Sequence, residues 1–140
     1  MIKLSIVISL ILAFILGSVV PLPTLASPDF TCNLVTEIPQ AECEALVALY
    51  NSTNGAAWID NTNWLTNTWP WYGVTLDGGH VTQLQLGRNR LTGSIPVALS
   101  NLTNLTGLGL QLNDLTGGIP PELDNLTKLE YFNVHENLLS

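Results

Sequence analysis

A repeat of 24 residues fills the chain from residue 81 to residue 140 and limits what this part can fold into. Residues 81–104 and 105–128 align without a gap, and residues 129–140 begin a third copy. Each copy follows L-x-x-L-x-L-x-x-N-x-L, with Val81, Phe132 and Val134 in place of Leu, and the two full copies continue with x-G-x-I-P. One copy cannot cover its own apolar side chains, so successive copies must stack. The sequence therefore predicts a solenoid.

The residue types within a copy indicate its local structure. The L-x-L step, as at Leu84 and Leu86, has the two-residue period of a short strand. The Asn column, 89/113/137, follows each strand, where its amide can satisfy backbone groups left unpaired by a turn. An amphipathic helix is the alternative for periodic leucines, but an interior Pro costs a helix about 3 kcal/mol and Gly about 1 kcal/mol. The Gly and Pro of G-x-I-P therefore argue against an α-helix on the side opposite the strands.

The repeat L-x-x-L-x-L-x-x-N-x-L-x-G-x-I-P resembles the plant-type leucine-rich-repeat subfamily over roughly residues 42–140. That family includes receptor-like kinase ectodomains, polygalacturonase-inhibitor proteins and exported bacterial proteins. The resemblance implies an α/β fold, a right-handed horseshoe segment with parallel strands on its concave face and a helical N-terminal cap. It places the cap at 27–80 and the repeats at 81–140.

Residues 1–26 are typical of a signal peptide. Lys3 precedes an apolar run from Leu4 to Leu16, and Thr24-Leu25-Ala26 places small residues at positions −3 and −1 of a cleavage site. An uncleaved membrane anchor is the alternative, since Leu4 to Val20 approaches a spanning length. Pro21 and Pro23 before a cleavage-like Ala favour removal. We therefore expect a secreted, extracellular protein.

Two cysteines follow the predicted cleavage site, Cys32 in an irregular lead-in and Cys43 eleven residues later. Export favours a disulfide between them, with two free thiols as the alternative. No His or further Cys is near enough in sequence to suggest a metal site. The bridge would attach the lead-in to the next helix.

A helix is predicted over 41–50, because Ala45, Leu46, Leu49 and Tyr50 fall on one face. Trp58, Trp64, Trp69 and Trp71 follow within fourteen residues. They are interpreted as the core of the cap rather than as a sugar-binding platform, since Trp in a small exported domain is more often core.

The cap departs from the family pattern at one place. Related caps carry C-x-W-x-G-V-x-C, whereas this chain has Trp69 and Leu76 at the two cysteine positions, so Cys32–Cys43 would be its only bridge. Asp77-Gly78-Gly79-His80 lies between two β-rich runs and predicts a hairpin that leads into the first repeat.

The sequence offers little for catalysis or cofactor binding. His80 and His135 are the only side chains suited to base catalysis near neutral pH, and the recognised nucleophile, metal and phosphate motifs are missing. We therefore predict no enzyme activity, no cofactor and no metal.

With 11 acidic against 4 basic side chains, the chain is also a poor partner for nucleic acid. Four Asn-x-Ser/Thr sequons, at Asn51, Asn101, Asn104 and Asn125, are glycosylation acceptors only in a host that glycosylates.

Ligand binding is predicted on the concave face, where side chains between the leucines project. The predicted site residues are Gln83, Gln85, Arg88, Gly107, Gly109, Gln111, Tyr131, Asn133 and His135. The glycines of the second copy predict a shallow trough between amide side chains and Tyr131. The alternative is that these polar residues only keep the strand face soluble.

Two functions fit these features. One is a secreted module that binds a protein, peptide or glycan through the concave face, without membrane contact once the signal is removed. The other is a structural starter for a longer repeat protein, with no ligand of its own. The third copy stops within its repeat at Ser140, which predicts self-association through its uncovered apolar side chains.

Overall fold

The computed structural model describes residues 30–140. The predicted signal peptide and its cleavage site lie outside the described residues. In the described part, no helix is both long and apolar enough to cross a bilayer.

The cap is built around one α-helix, α1, which runs from Gln40 to Ser52 and is slightly longer than predicted. Pro39 precedes it, and the backbone N–H of Thr53 ends it by donating to the Leu49 carbonyl at 3.0 Å. Ala45, Leu46 and Leu49 are completely buried on one face, which confirms the predicted apolar stripe. The helix thereby covers the N-terminal end of the repeat core.

The predicted disulfide between Cys32 and Cys43 is present, with an S–S distance of 2.07 Å. Cys32 begins a short 3₁₀ turn, Cys32–Leu34, and Cys43 is fully buried on α1. The bridge therefore attaches the lead-in to the cap helix, as expected.

The tryptophans form the core of the cap. Trp58, Trp64 and Trp71 are buried, and Trp69 stacks on Trp71 with ring centroids 4.9 Å apart. Trp69 and Leu76, at the positions where related caps carry cysteines, are half-buried against the same core. The rings of Trp58, Trp64 and Trp71 are therefore core, as interpreted from the sequence, and Trp69 is partly accessible.

Seven short strands complete the fold. In chain order they are β1 (Val74–Asp77), β2 (His80–Gln85), β3 (Thr92–Gly93), β4 (Gly107–Gly109), β5 (Asp114–Gly117), β6 (Tyr131–Asn133) and β7 (Leu138–Leu139).

The first sheet has the strand order β1-β2-β4-β6. β1 and β2 form the predicted antiparallel hairpin through Gly78 and Gly79, both at positive φ. The other pairs are parallel, and Leu84, Leu108 and Phe132 occupy one register. Residues that are 24 positions apart in the sequence are therefore partners on neighbouring parallel strands.

A second sheet, with the order β3-β5-β7, lies after the Asn turns and was not predicted. Gly93 and Gly117 end β3 and β5 at φ of 87° and 75°, a region that favours glycine. Two 3₁₀ helices follow the prolines, Val97–Asn101 and Pro121–Asn125. The side opposite the first sheet therefore lacks α-helix in the described repeats, as the Gly and Pro positions predicted.

The Asn column satisfies backbone groups, as the sequence predicted, and does so as a ladder between coils, where a coil is one 24-residue copy. The Oδ1 of Asn113 accepts hydrogen bonds from the N–H groups of Asn89 and Leu91, each at 3.0 Å. Its Nδ2 donates to the Leu86 and Leu110 carbonyls at 2.9 Å. Asn89 extends the ladder into the cap by exchanging two hydrogen bonds with the backbone of Asp60. Hydrogen bonds from asparagine amides thus join the cap to the first coil and the first coil to the second.

The apolar core thins toward the third coil. Leu84 and Leu108 are completely buried, whereas Phe132 in the same column is 42% exposed. Ile95 is 4% exposed and its counterpart Ile119 is 44% exposed. In the described chain no further coil packs over Phe132 and Ile119. They therefore lack the neighbour that covers the corresponding residues of the preceding coil.

Candidate binding face

The candidate site is the solvent side of β2, β4 and β6, which we call the strand face. Leu84, Leu108 and Phe132 point toward the core, so the residues on either side of each point outward. The register places Gln83, Gly107 and Tyr131 in one row and Gln85, Gly109 and Asn133 in the next. All six are among the residues that the sequence predicted for the site.

The middle of the strand face is not an open trough, which corrects the prediction. The amide of Gln85 lies over Gly109, where it occupies the place of a Cβ. The amide of Gln111 lies over Gly87 in the same way, with Nε2 2.6 Å from the position of a Cβ. Gly107 and Gly109 are consequently buried. The glycines provide the space in which glutamine side chains lie flat across the strands, and we call these side chains the amide layer.

Gln111 carries an unsatisfied polar atom. Its Oε1 is buried and has no hydrogen-bond donor among residues 30–140. A buried carbonyl oxygen without a donor costs about 1–3 kcal/mol, and a ligand group can donate to it only when the flexible Gln111 amide turns toward solvent. The amide layer is therefore a candidate acceptor surface.

Tyr131 is the exposed aromatic of the strand face, with 47% of its surface accessible. The Nδ2 of Asn133 donates to the phenol oxygen at 2.9 Å, and the Oδ1 of Asn133 accepts from the backbone N–H of His135 at 3.2 Å. These contacts hold the phenol ring beside the amide layer. An exposed aromatic with a fixed orientation is well suited to anchor a ligand, because it loses little side-chain freedom on binding.

Arg88 does not belong to this face, although the sequence placed it there. Its backbone is in the left-handed region, at φ of 58°, and it lines a depression with Ile59, Arg90 and Asp114 beyond the C-terminal ends of the strands. The left-handed turn takes the residue out of the strand alternation on which the prediction relied.

The strand face continues onto the cap, which the sequence did not predict. Asp60, Thr62, Tyr72 and Thr75 line an open depression together with Gln85. Tyr72 is exposed beside the buried Trp71. The only sequence signal was the alternation at Trp71-Tyr72, which turns one aromatic ring inward and the next one outward.

The two histidines contact different residues. The Nδ1 of His80 is 2.6 Å from a carboxylate oxygen of Glu42 on α1, and His135 lies 3.3 Å from Glu136. Within residues 30–140 there is no group of three His, Cys, Asp or Glu side chains placed to hold a metal ion. The polar groups of the strand face itself are amides, a phenol and an imidazole.

Comparisons with known proteins agree with this architecture. A family model described as Leucine Rich Repeat matches residues 80–102. A search of curated proteins finds no match.

Three solved structures share the fold. The ectodomain of the receptor kinase SOBIR1 from Arabidopsis thaliana is 21% identical, with a TM-score of 0.58 over 73% of this chain and 56% of that chain. PEPR1-AtPEP1 is 23% identical, with a TM-score of 0.55 over 72% of this chain and 18% of that chain. A plant ice-binding protein is 18% identical, with a TM-score of 0.52 over 74% of this chain and 43% of that chain. The chain thus spans little more than half of the SOBIR1 structure and less of the other two.

Proposed function

We propose that this chain, which carries leucine-rich repeats of the plant type, is a secreted binding module that recognises a protein, peptide or glycan through its strand face. The observation that carries the proposal is Tyr131, exposed beside the amide layer and oriented by Asn133. A residue kept only for solubility needs neither an aromatic ring nor a hydrogen bond that fixes it. We assign the module no catalytic role.

The chemistry of the strand face points to an uncharged, polar ligand. Gln83, Gln85, Gln111 and Asn133 contribute amides, and none of these residues carries a formal charge. Amides both donate and accept hydrogen bonds, which suits peptide backbone and sugar hydroxyl groups alike. One structural neighbour is PEPR1 determined together with AtPEP1. That neighbour makes a peptide the first ligand class to screen.

The test is a screen of extracellular proteins, peptides and glycans, followed by affinity measurements on two variants. Tyr131→Ala should weaken binding by about tenfold or more, as aromatic residues at the centre of an interface do. Val97→Ala is the matched control, because Val97 is an exposed apolar residue on the 3₁₀ side. Equal affinities for wild type and Tyr131→Ala would show that the strand face is not the binding site.

Secretion is supported by the disulfide between Cys32 and Cys43, since disulfides persist mainly outside the cytosol. We propose that cleavage after Ala26 yields a mature chain that starts at Ser27. Intact-mass analysis of the exported protein tests this directly, and a mass that retains residues 1–26 would contradict it.

The alternative function is a structural starter for a longer array. In a longer array a further coil would cover Phe132 and Ile119, which are exposed in the described chain. In this role the chain, studied alone, should self-associate through the third coil. Replacing Phe132 with Asn should then abolish the self-association, whereas Tyr131→Ala should leave it unchanged.

A further inference from the structure

A second surface of the repeats has an ordered arrangement of charge. The residue before each ladder Asn adopts the left-handed conformation: Arg88 at φ 58°, Leu112 at φ 58° and Glu136 at φ 54°. Because the three coils share this turn, the three side chains leave the fold in one row. We call this row the turn edge.

The side chains along the turn edge change from positively charged (Arg88) through apolar (Leu112) to negatively charged (Glu136). Arg88, Leu112 and Glu136 all line one depression beside the first sheet, and Arg90 and Asp114 line it as well. Arg88 and Arg90 are two of the four basic residues in the whole sequence. Neither forms a salt bridge with a carboxylate of the described residues. The scarce positive charge of an acidic chain is thus concentrated at one end of this edge and left unpaired within the described part of the molecule.

We propose that the turn edge is a self-association surface, at which two copies pair antiparallel around Leu112. Reversing the row Arg-Leu-Glu and placing it against itself brings each Arg88 opposite Glu136 of the other copy, with Leu112 against Leu112 at the centre. A two-fold interface requires this kind of self-complementarity. Each dimer then contains two equivalent ion pairs that flank an apolar contact.

A second copy fits the charge order better than an unrelated acidic or basic partner does. Asp114 and Glu136 would repel a uniformly acidic surface, and Arg88 and Arg90 a uniformly basic one, whereas a reversed copy opposes Arg88 to Glu136 and leaves only Asp114, in the middle coil, facing its own counterpart. The depression also carries an apolar side chain that a second copy can cover, because Ile59 is 64% exposed there. The strand-face residues Gln83 and Tyr131 are outside this depression, so pairing would leave the strand face open to its ligand.

Charge reversal gives a sharp test by sedimentation of the purified protein at low salt. Arg88→Glu should raise the dimer dissociation constant by more than about tenfold, because like charges then oppose each other twice. Glu136→Arg should do the same. A mixture of the two single variants should dimerise again, since the carboxylate introduced at position 88 then faces the guanidinium introduced at position 136, and the unaltered Arg88 faces the unaltered Glu136. The double variant Arg88→Glu/Glu136→Arg should restore dimerisation without mixing.

A matched control and two opposing outcomes make the test decisive. Glu122→Arg, an exposed charge on the 3₁₀ side, should leave dimerisation unchanged. A wild-type protein that is monomeric at all concentrations would overturn the proposal. So would a dimer that resists both charge reversals but is lost in Phe132→Asn, because that dimer would use the uncovered face of the third coil instead.

Discussion

Glu42 on the cap helix and His80 on the first repeat strand are in direct contact, with a carboxylate oxygen 2.6 Å from the imidazole Nδ1. The second carboxylate oxygen accepts the backbone N–H of Val81 at 2.7 Å. Glu42 is buried and its bond to the Val81 N–H is shielded from water, whereas the His80 side chain is 42% exposed. The pair joins the cap to the start of β2 and fixes the position of the strand face relative to the cap.

Removing the Glu42 carboxylate should destabilise the fold. Glu42→Ala leaves the N–H of Val81 without its acceptor, which we expect to cost about 1–3 kcal/mol in the free energy of unfolding. Urea unfolding followed by tryptophan fluorescence measures this cost. Glu44→Ala is the control, because the exposed Glu44 bonds only to Gln40 and should change stability by less than about 0.5 kcal/mol. If the two variants were equally stable, the proposed link between cap and repeats would be wrong.

The Asn ladder should be strongest where it is fully buried. Asn113→Ala removes two accepted and two strong donated hydrogen bonds and should cost about 3 kcal/mol or more. Asn137→Ala should cost less, because Asn137 is half-buried and its Oδ1 accepts only the N–H of Leu115. The two unfolding free energies give the comparison, and the reverse order would contradict the ladder account.

The disulfide should stabilise the cap through the loop that it closes. Replacing both Cys32 and Cys43 with Ser should lower the free energy of unfolding by about 2–3 kcal/mol, the value expected for a loop of this size. Reduction of the native protein should give a similar loss. Alkylation of either cysteine without prior reduction would show that the bridge does not form.

The sequence predicted the parts of the fold that repetition and burial determine. The register of β2, β4 and β6 follows from one apolar column, Leu84/Leu108/Phe132, because a shift by one residue would expose every member. The helix 41–50 and the hairpin at Gly78-Gly79 were found for similarly local reasons. The second sheet was missed because β3 is only Thr92–Gly93, too short to show any alternation.

The parts of the site that the sequence could not predict depend on the sign of a backbone φ angle and on contacts between residues far apart in the sequence. Nothing in the identity of Arg88 indicates a positive φ, so strand alternation placed it on the wrong surface. The position of Gln85 over Gly109 depends on which coil lies next to which. The contact between Glu42 and His80 spans 38 residues of sequence, so no local pattern indicates it. Such contacts appear only when the coils are assembled.

The central claim is that the strand face binds the ligand, and the affinity of Gly109→Arg tests it most directly. The new side chain displaces the flexible end of Gln85 and crowds that of Gln111 but meets no backbone, so the circular dichroism spectrum should match that of wild type. In contrast, Leu110→Asp should unfold the chain, because it buries an unpaired charge at a completely buried position. With a partner from the screen in hand, the account predicts that Gly109→Arg folds normally and binds about tenfold or more weakly than wild type. A folded Gly109→Arg protein with wild-type affinity would contradict the account and move the binding site to another surface.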